Sequence, residues 1–263
     1  MTLEPLQWIF AALAAFLVGV SKSGIAGLSI FSVALFAHIF PSSKQATGIV
    51  LPLLIIGDVV AVLAYRRHTQ WSYLWKLFPF TAAGVVLGYF ALGAISDRHA
   101  RSMIGAIIVS LAVLSYWRRF GSSPTEGTGG SAGSGSSAGS GETTRSRSWM
   151  FAASVGIIAG FVTLIANAAG PLMAVYLVSM RLPKLEFVGT AAVFFMCLNL
   201  FKVPFMVSLG LITVHSVGLN LLLAPAVVSG IFAGRWLVAR INQALFERLV
   251  LLLSAIAGIL LLI

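Results

Sequence analysis

The sequence predicts an all-α polytopic membrane protein built from two related halves. The 263 residues are 59% hydrophobic and only 9% charged, which is more apolar surface than the interior of a soluble domain of this size could cover. Apolar stretches approaching the ~20 residues of a membrane-crossing helix recur along the chain. Because the sequence lacks the alternating strands of a membrane barrel, we expect helices, which satisfy their backbone hydrogen bonds within lipid.

Ten apolar segments are expected, five in each half. In order they cover residues 6–20, 24–40, 46–64, 71–95, 101–117, 149–166, 168–180, 185–208, 214–238 and 244–263. The first two segments of each half are predicted to be short and broken, and a fifteen-residue helix reaches only ~22 Å. Such a pair is either a re-entrant hairpin that turns inside the membrane or two tilted crossings. Both alternatives return the chain to the same side, so both remain open.

Residues of the first half recur in the second half at a nearly constant spacing. Four of them reappear 146 positions later, as the pairs Pro79 and Pro225, Gly84 and Gly230, Gly88 and Gly234, and Ile95 and Ile241. Upstream the spacing is 141 or 142, as in Gly19 and Gly160, Pro41 and Pro183, and Asp58 and Asn199. Because five segments are an odd number, the second half enters the membrane from the opposite side, and the sequence predicts inverted repeats.

The predicted organisation is a first repeat over 1–120, a Gly/Ser-rich linker over 121–148 and a second repeat over 149–263. With the N-terminus outside, eleven of the 17 Lys and Arg residues fall on the inner side and four on the outer side. The positive-inside rule favours this orientation. We therefore expect both termini outside and the linker in the cytoplasm. The cations are spread over loops, so no nucleic-acid partner is expected.

Two helix breaks at matching places in the halves indicate a transporter's binding site, at Lys22–Gly27 and at Asn167–Pro171. Each break is followed by a helix whose free N–H groups suit an anion. The predicted substrate-binding residues are Lys22, Ser23, Gly24, Gly27, Asn167, Ala168, Ala169 and Gly170. In the alternative interpretation, Lys22 extends to the membrane interface and the small residues only allow close helix packing.

Asp58, Asn199 and Lys202 lie deep in apolar segments. A charged group there costs roughly 2.5–3.5 kcal/mol on insertion scales unless it is paired, solvated or neutralised. Two roles remain open: ion coupling, or structural pairing in which Asp58 holds a cation and Asn199 bonds across the bundle. The sequence contains no nucleophile elbow, phosphate-binding glycine loop, HExxH or paired cysteine motif, so we expect no enzyme activity, no metal and no cofactor.

Several motifs resemble the sulfite exporter family of the TauE/SafE type. They are the run IANAAGP at 165–171, Leu182-Pro183-Lys184, the run FVGT at 187–190 and the run NLFKVPF at 199–205. The resemblance covers both halves and excludes the linker. In the first half the family often has Gly-x-Gly-Gly-Gly, whereas this chain has GIAGL at 24–28 and matches only two of the glycines.

The resemblance implies export of sulfite or of small organosulfonates such as sulfoacetate across the bacterial cytoplasmic membrane. We expect a secondary transporter that works by alternating access, with a small anion and the lipid bilayer as partners; a homodimer is compatible with the sequence. The rival functions are a passive anion channel and a membrane sensor or assembly partner that transports nothing. The anion itself and coupling to protons or sodium stay open, because an inside-negative potential already assists export by ~2.3 kcal/mol per charge per 100 mV.

Overall fold

The computed structural model describes residues 4–25, 28–40, 43–91 and 140–262, in which all regular structure is helical. The helices are α1 Pro5–Ser21, α2 Leu28–Ile39, α3 Ser43–Tyr65, α4 Trp71–Ala91, α5 Ser140–Ala166, α6 Ala169–Ser179, α7 Lys184–Ser208, α8 Val214–Arg240 and α9 Gln243–Leu262. A 3-10 turn over Arg66–His68 joins α3 to α4. The prediction of an all-α protein is confirmed.

Within these ranges, five stretches are long and apolar enough to cross a membrane: Ala46–His68, Trp71–Ala91, Trp149–Ala166, Lys184–Ser208 and Ser216–Arg240. They belong to α3, α4, α5, α7 and α8. Two further apolar helices are shorter, at Pro5–Ser21 and Ala169–Ser179. The chain is therefore a multi-pass membrane protein, as its composition predicted.

Segment lengths depart from the prediction at α5. The helices α1, α2 and α6 are short, with 17, 12 and 11 residues, but the 18 residues Trp149–Ala166 of α5 form a candidate span. The expectation of two short segments in the second half is wrong for α5, because its apolar run alone has 18 residues. The backbone is already helical from Ser140, within the predicted linker 121–148. Residues 121–139 and the predicted segment 101–117 lie outside the described residues.

The short helix α6 lies inside the protein. Every residue from Ala169 to Val178 is buried, and the helix contacts α5, α7 and α9. Eleven residues span only ~16 Å, about half of the ~30 Å hydrocarbon layer. Its ends are surrounded by protein, where backbone groups can be satisfied at membrane depth. The second-half break therefore lies in an environment that can form a polar site.

Glycines allow direct backbone contact between the halves. A Cβ at Gly19 of α1 would overlap the carbonyl of Val227 in α8, and a Cβ at Gly160 of α5 would overlap the carbonyl of Thr81 in α4. The two glycines are 141 positions apart and the two carbonyls 146. The reciprocal contacts have the same spacing, with Gly230 against Phe16 and Gly84 against Ile157. The first helix of each half thus packs on the fourth helix of the other half.

Candidate functional site

The first break follows α1, which ends at Ser21, and turns through Lys22, Ser23 and Gly24. Gly24 has φ +107°, a conformation that L side chains rarely adopt. A Cβ there would also lie 2.6 Å from the Cγ2 atom of Val188 in α7. Glycine is required at this position both by the backbone and by the neighbouring helix, and the turn directs Lys22 toward the interior.

The second break is shorter than predicted. Asn167 has φ +50°, which asparagine tolerates better than most residues, and α6 begins two residues later at Ala169. Gly170 and Pro171 therefore belong to the first helical turn, where a proline N–H is not needed. The Nδ2 of Asn167 donates to the carbonyl of Thr47 at 2.9 Å, which fixes the break against the start of α3.

An ion pair joins the first break to α3. Lys22 Nζ lies 2.6 Å from Asp58 Oδ1, and Asn199 Nδ2 of α7 donates to Asp58 Oδ2 at 2.6 Å. The ammonium also lies 5.1 Å from the ring centroid of Phe195. The Lys22 side chain is only 8% exposed, so the alternative in which it extends to the membrane interface is wrong. Structural pairing of Asp58 with a cation, one of its two expected roles, matches this geometry.

The second buried cation, Lys202, is held by neutral oxygens. Its Nζ donates to Asn167 Oδ1 at 2.6 Å and to the Oγ1 and carbonyl oxygen of Thr163 at 3.1 and 3.2 Å. Lys202 is fully buried, and no carboxylate of the described ranges lies within salt-bridge distance of it. Its hydrogen bonds are satisfied while its charge is not neutralised by contact.

A partly open cavity lies where the two breaks approach each other. It encloses about 590 Å³ including its mouth. Its polar wall consists of Ser21, Lys22, Ser29, Thr163, Asn167 and Asn199, and its larger apolar side chains are Leu54, Met173, Phe187 and Phe195. Asp58 and Lys202 do not line it; they stand behind Lys22, Asn199, Asn167 and Thr163. A ligand would face one ammonium directly and would experience the charge of two further buried groups.

Five predicted residues line this cavity together: Lys22, Gly24, Asn167, Gly170 and Asn199. Three do not. The hydroxyl of Ser23 donates to the carbonyl of Val20 at 2.6 Å and lies beside Gly234 of α8. Ala168 and Ala169 pack in an apolar cluster with Ala159, Val162 and Leu172. Gly27 lies outside the described residues.

The sequence interpretation missed Thr163 and Phe195, although a signal for both was present. Each lies four residues before a polar residue that the interpretation had selected, Thr163 before Asn167 and Phe195 before Asn199. Residues four apart share a helix face, so this spacing could have identified both. Thr47 gave no such signal, because its backbone carbonyl meets Asn167 from 120 positions away.

Comparison with protein-family models matches residues 11–261 to the model described as sulfite exporter TauE/SafE. Comparisons with curated proteins and with solved structures gave no match. The matched range covers nearly all of the chain. It includes both helix breaks and the buried side chains of Lys22 and Lys202. The chain belongs to the TauE/SafE family of sulfite exporters, membrane transporters of sulfur-containing anions.

Proposed function

We propose that the protein is a secondary transporter that exports sulfite or an organosulfonate such as sulfoacetate across the bacterial inner membrane. The observation that carries this proposal is the cavity between the two helix breaks, with Lys22 in its wall. Family membership supplies the class of activity, and the cavity supplies a place where an anion can leave water. The potential across the membrane, negative inside, favours the outward movement.

The donors suit a group with three acceptor oxygens. Lys22 forms an ion pair with Asp58, and its ammonium has three N–H donors, so donors remain for a ligand. The N-terminal turn of α6 brings Gly170 to the wall, and backbone N–H groups in a first turn have no partner within their helix. The amide of Asn167 is engaged with Thr47 and Lys202, so we assign it to positioning. Met173 and Phe187 bound the space for an organic tail.

The proposed architecture is a pair of inverted repeats that exchange roles during transport. Support comes from the glycine contacts: exchanging the halves converts the packing of α1 on α8 into the packing of α5 on α4, at the spacings of the sequence repeat. Inverted repeats around a central site are typical of alternating-access transporters. Access would alternate by rocking of one half against the other around the cavity.

The proposed direction is loading from the cytoplasm. The cavity extends along α7 from Asn199 to Phe187, twelve residues or ~18 Å. Phe187 lies in the first turn of α7, which begins at Lys184. Arg181 precedes that helix by three residues. Cations concentrate on cytoplasmic loops, so this orientation sets both termini outside and the linker inside. An exporter needs such access from the inner side.

Uptake into inside-out proteoliposomes tests the site. Lys22→Ala and Asn167→Ala are each expected to lower transport of sulfite or sulfoacetate at least about tenfold, because one removes the charged donor and the other releases Lys202. Lys76→Ala is the matched control, since Lys76 is an exposed lysine on α4. If both site variants transport at the wild-type rate, the cavity is not the binding site.

Counterflow distinguishes the proposed mechanism from its rivals. An alternating-access carrier loaded with unlabelled anion should accumulate labelled anion transiently above equilibrium, since the site returns loaded. Unitary currents far above carrier turnover would identify a channel instead. Lack of counterflow with any anion, together with a tightly copurifying soluble protein, would favour a sensor.

A further inference from the structure

We infer that the cavity selects anions with a single negative charge over dianions, and that Asp58 sets this selectivity. The inference rests on the proposed function and narrows its substrate class. It favours hydrogen sulfite and sulfonates without a second ionised group. Of the proposed substrates, sulfite is then bound as hydrogen sulfite. Sulfoacetate, which carries an ionised carboxylate beside its sulfonate, binds more weakly than a singly charged sulfonate, as do sulfate and the sulfite dianion.

Three charged side chains lie at or directly behind the cavity wall: Lys22, Asp58 and Lys202. Both oxygens of Asp58 face donors, Lys22 Nζ at 2.6 Å and Asn199 Nδ2 at 2.6 Å, which is the environment of an ionised carboxylate. Lys202 faces three oxygen acceptors, as many as an ammonium can serve. Lys22 is paired with the carboxylate. Two ammonium groups and one carboxylate leave a net charge of one positive unit.

The net positive charge of the site acts on any ligand in the cavity. Buried charges interact strongly because little water screens them, and a buried group of charges is least costly when its sum is zero. A monoanion brings the loaded site to zero. A dianion brings it to one negative unit, surrounded by Met173, Phe187 and Phe195. Within the described ranges, Lys22 is the one charged side chain in the cavity wall, so nothing else there compensates a second negative charge.

Asp58 affects the selectivity through its charge and not through contact with the ligand. Its carboxylate does not line the cavity, because Lys22 and Asn199 stand in front of it. A ligand therefore does not lose a contact when the carboxylate is replaced, but it does experience the changed charge. Asp58→Asn has nearly the same shape, and the Asn199 amide can rotate to present its oxygen to the new amide. This variant raises the net charge to two positive units with its hydrogen bonds preserved.

A matched ligand pair isolates charge from size. Sulfoacetamide and sulfoacetate have nearly the same shape and differ by one negative charge. Binding of both to the purified full-length protein would be measured by calorimetry, and transport of both in proteoliposomes. Wild type is expected to bind sulfoacetamide at least about tenfold more tightly than sulfoacetate, and Asp58→Asn to shift the ratio of the two dissociation constants toward sulfoacetate by about tenfold or more.

A second variant distinguishes an effect of charge on ligand binding from a loss of structure. Lys202→Gln keeps a donor toward Asn167 and removes one positive charge, so it should weaken both ligands. The double variant Asp58→Asn/Lys202→Gln returns the site to one positive unit, and it should restore the wild-type ratio. A structural role alone predicts instead that the double variant is at least as impaired as either single variant.

The outcomes separate this inference from the proposed function. Equal binding of both ligands by wild type overturns the inference, and so does an unchanged ratio in Asp58→Asn or a double variant that does not recover. Each of these leaves the protein an anion transporter. If wild type binds and transports neither ligand, nor sulfite, the proposed function itself fails.

Discussion

The amide of Asn199 donates a 2.6 Å hydrogen bond to the carboxylate of Asp58, the residue at the equivalent position of the other half. Two carboxylates meeting there would repel each other, and two amides would leave Lys22 without a counterion. Lys22 itself is not duplicated, because 141 positions later the chain has Thr163. The divergence of both positions is therefore coupled: the half that carries the lysine at its break also carries the acid that pairs with it.

This pairing predicts a non-additive effect on stability. Asp58→Ala leaves Lys22 buried without its partner and should destabilise the protein by about 3–5 kcal/mol. Lys22→Met leaves the carboxylate unpaired and should have a similar effect. The double variant removes both charges and should be less destabilised than either single variant, as measured by thermal unfolding in detergent. Additive losses in the double variant would show that the two groups are not coupled.

The glycine contacts predict which substitutions the fold cannot accept. Alanine at Gly19 or Gly160 would overlap a carbonyl of the facing helix, so each variant should lower the unfolding temperature and the yield of folded protein. Gly218 of α8 is the control, because a Cβ there meets nothing within 4 Å. Gly218→Ala should be neutral or stabilising by up to ~1 kcal/mol through helix propensity. Equal effects at Gly19 and Gly218 would contradict backbone contact between the halves.

The helical class, the two breaks and the deep polar residues could be predicted because each leaves a local mark: an apolar run, a Gly/Pro interruption, or a charge inside an apolar run. The end of the second break could not, since Ala169 favours a helix while Gly170 disfavours one, and α6 is ordered by burial on all sides. The pairing of the buried charged side chains could not be predicted either. Whether Asp58 pairs with Lys22 or Lys202 depends on helix packing, and hydropathy carries no information about it.

Asn167 combines a backbone role with a side-chain role, and two substitutions separate them. Asn167→Gly accepts φ +50° without strain. Asn167→Ala keeps a Cβ in the left-handed region without the polar side chain that lets asparagine tolerate it, at a cost of ~1–2 kcal/mol. The glycine variant should therefore unfold at a higher temperature than the alanine variant. Both lose the acceptor of Lys202 and should transport poorly. Wild-type transport by Asn167→Gly would show that the amide does not position Lys202.

Selection for single charge predicts that transport of sulfite depends on pH through the substrate. Hydrogen sulfite loses its proton near neutral pH, so the transported fraction should fall as pH rises through that ionisation. Methanesulfonate stays a monoanion over the same range, and its transport should stay level, so it is the control for pH effects on the protein itself. Asp58→Asn, with one more positive charge, should lose most of the decline with sulfite because the dianion is then accepted. A parallel decline for methanesulfonate would assign the pH dependence to the protein rather than to the charge of the anion.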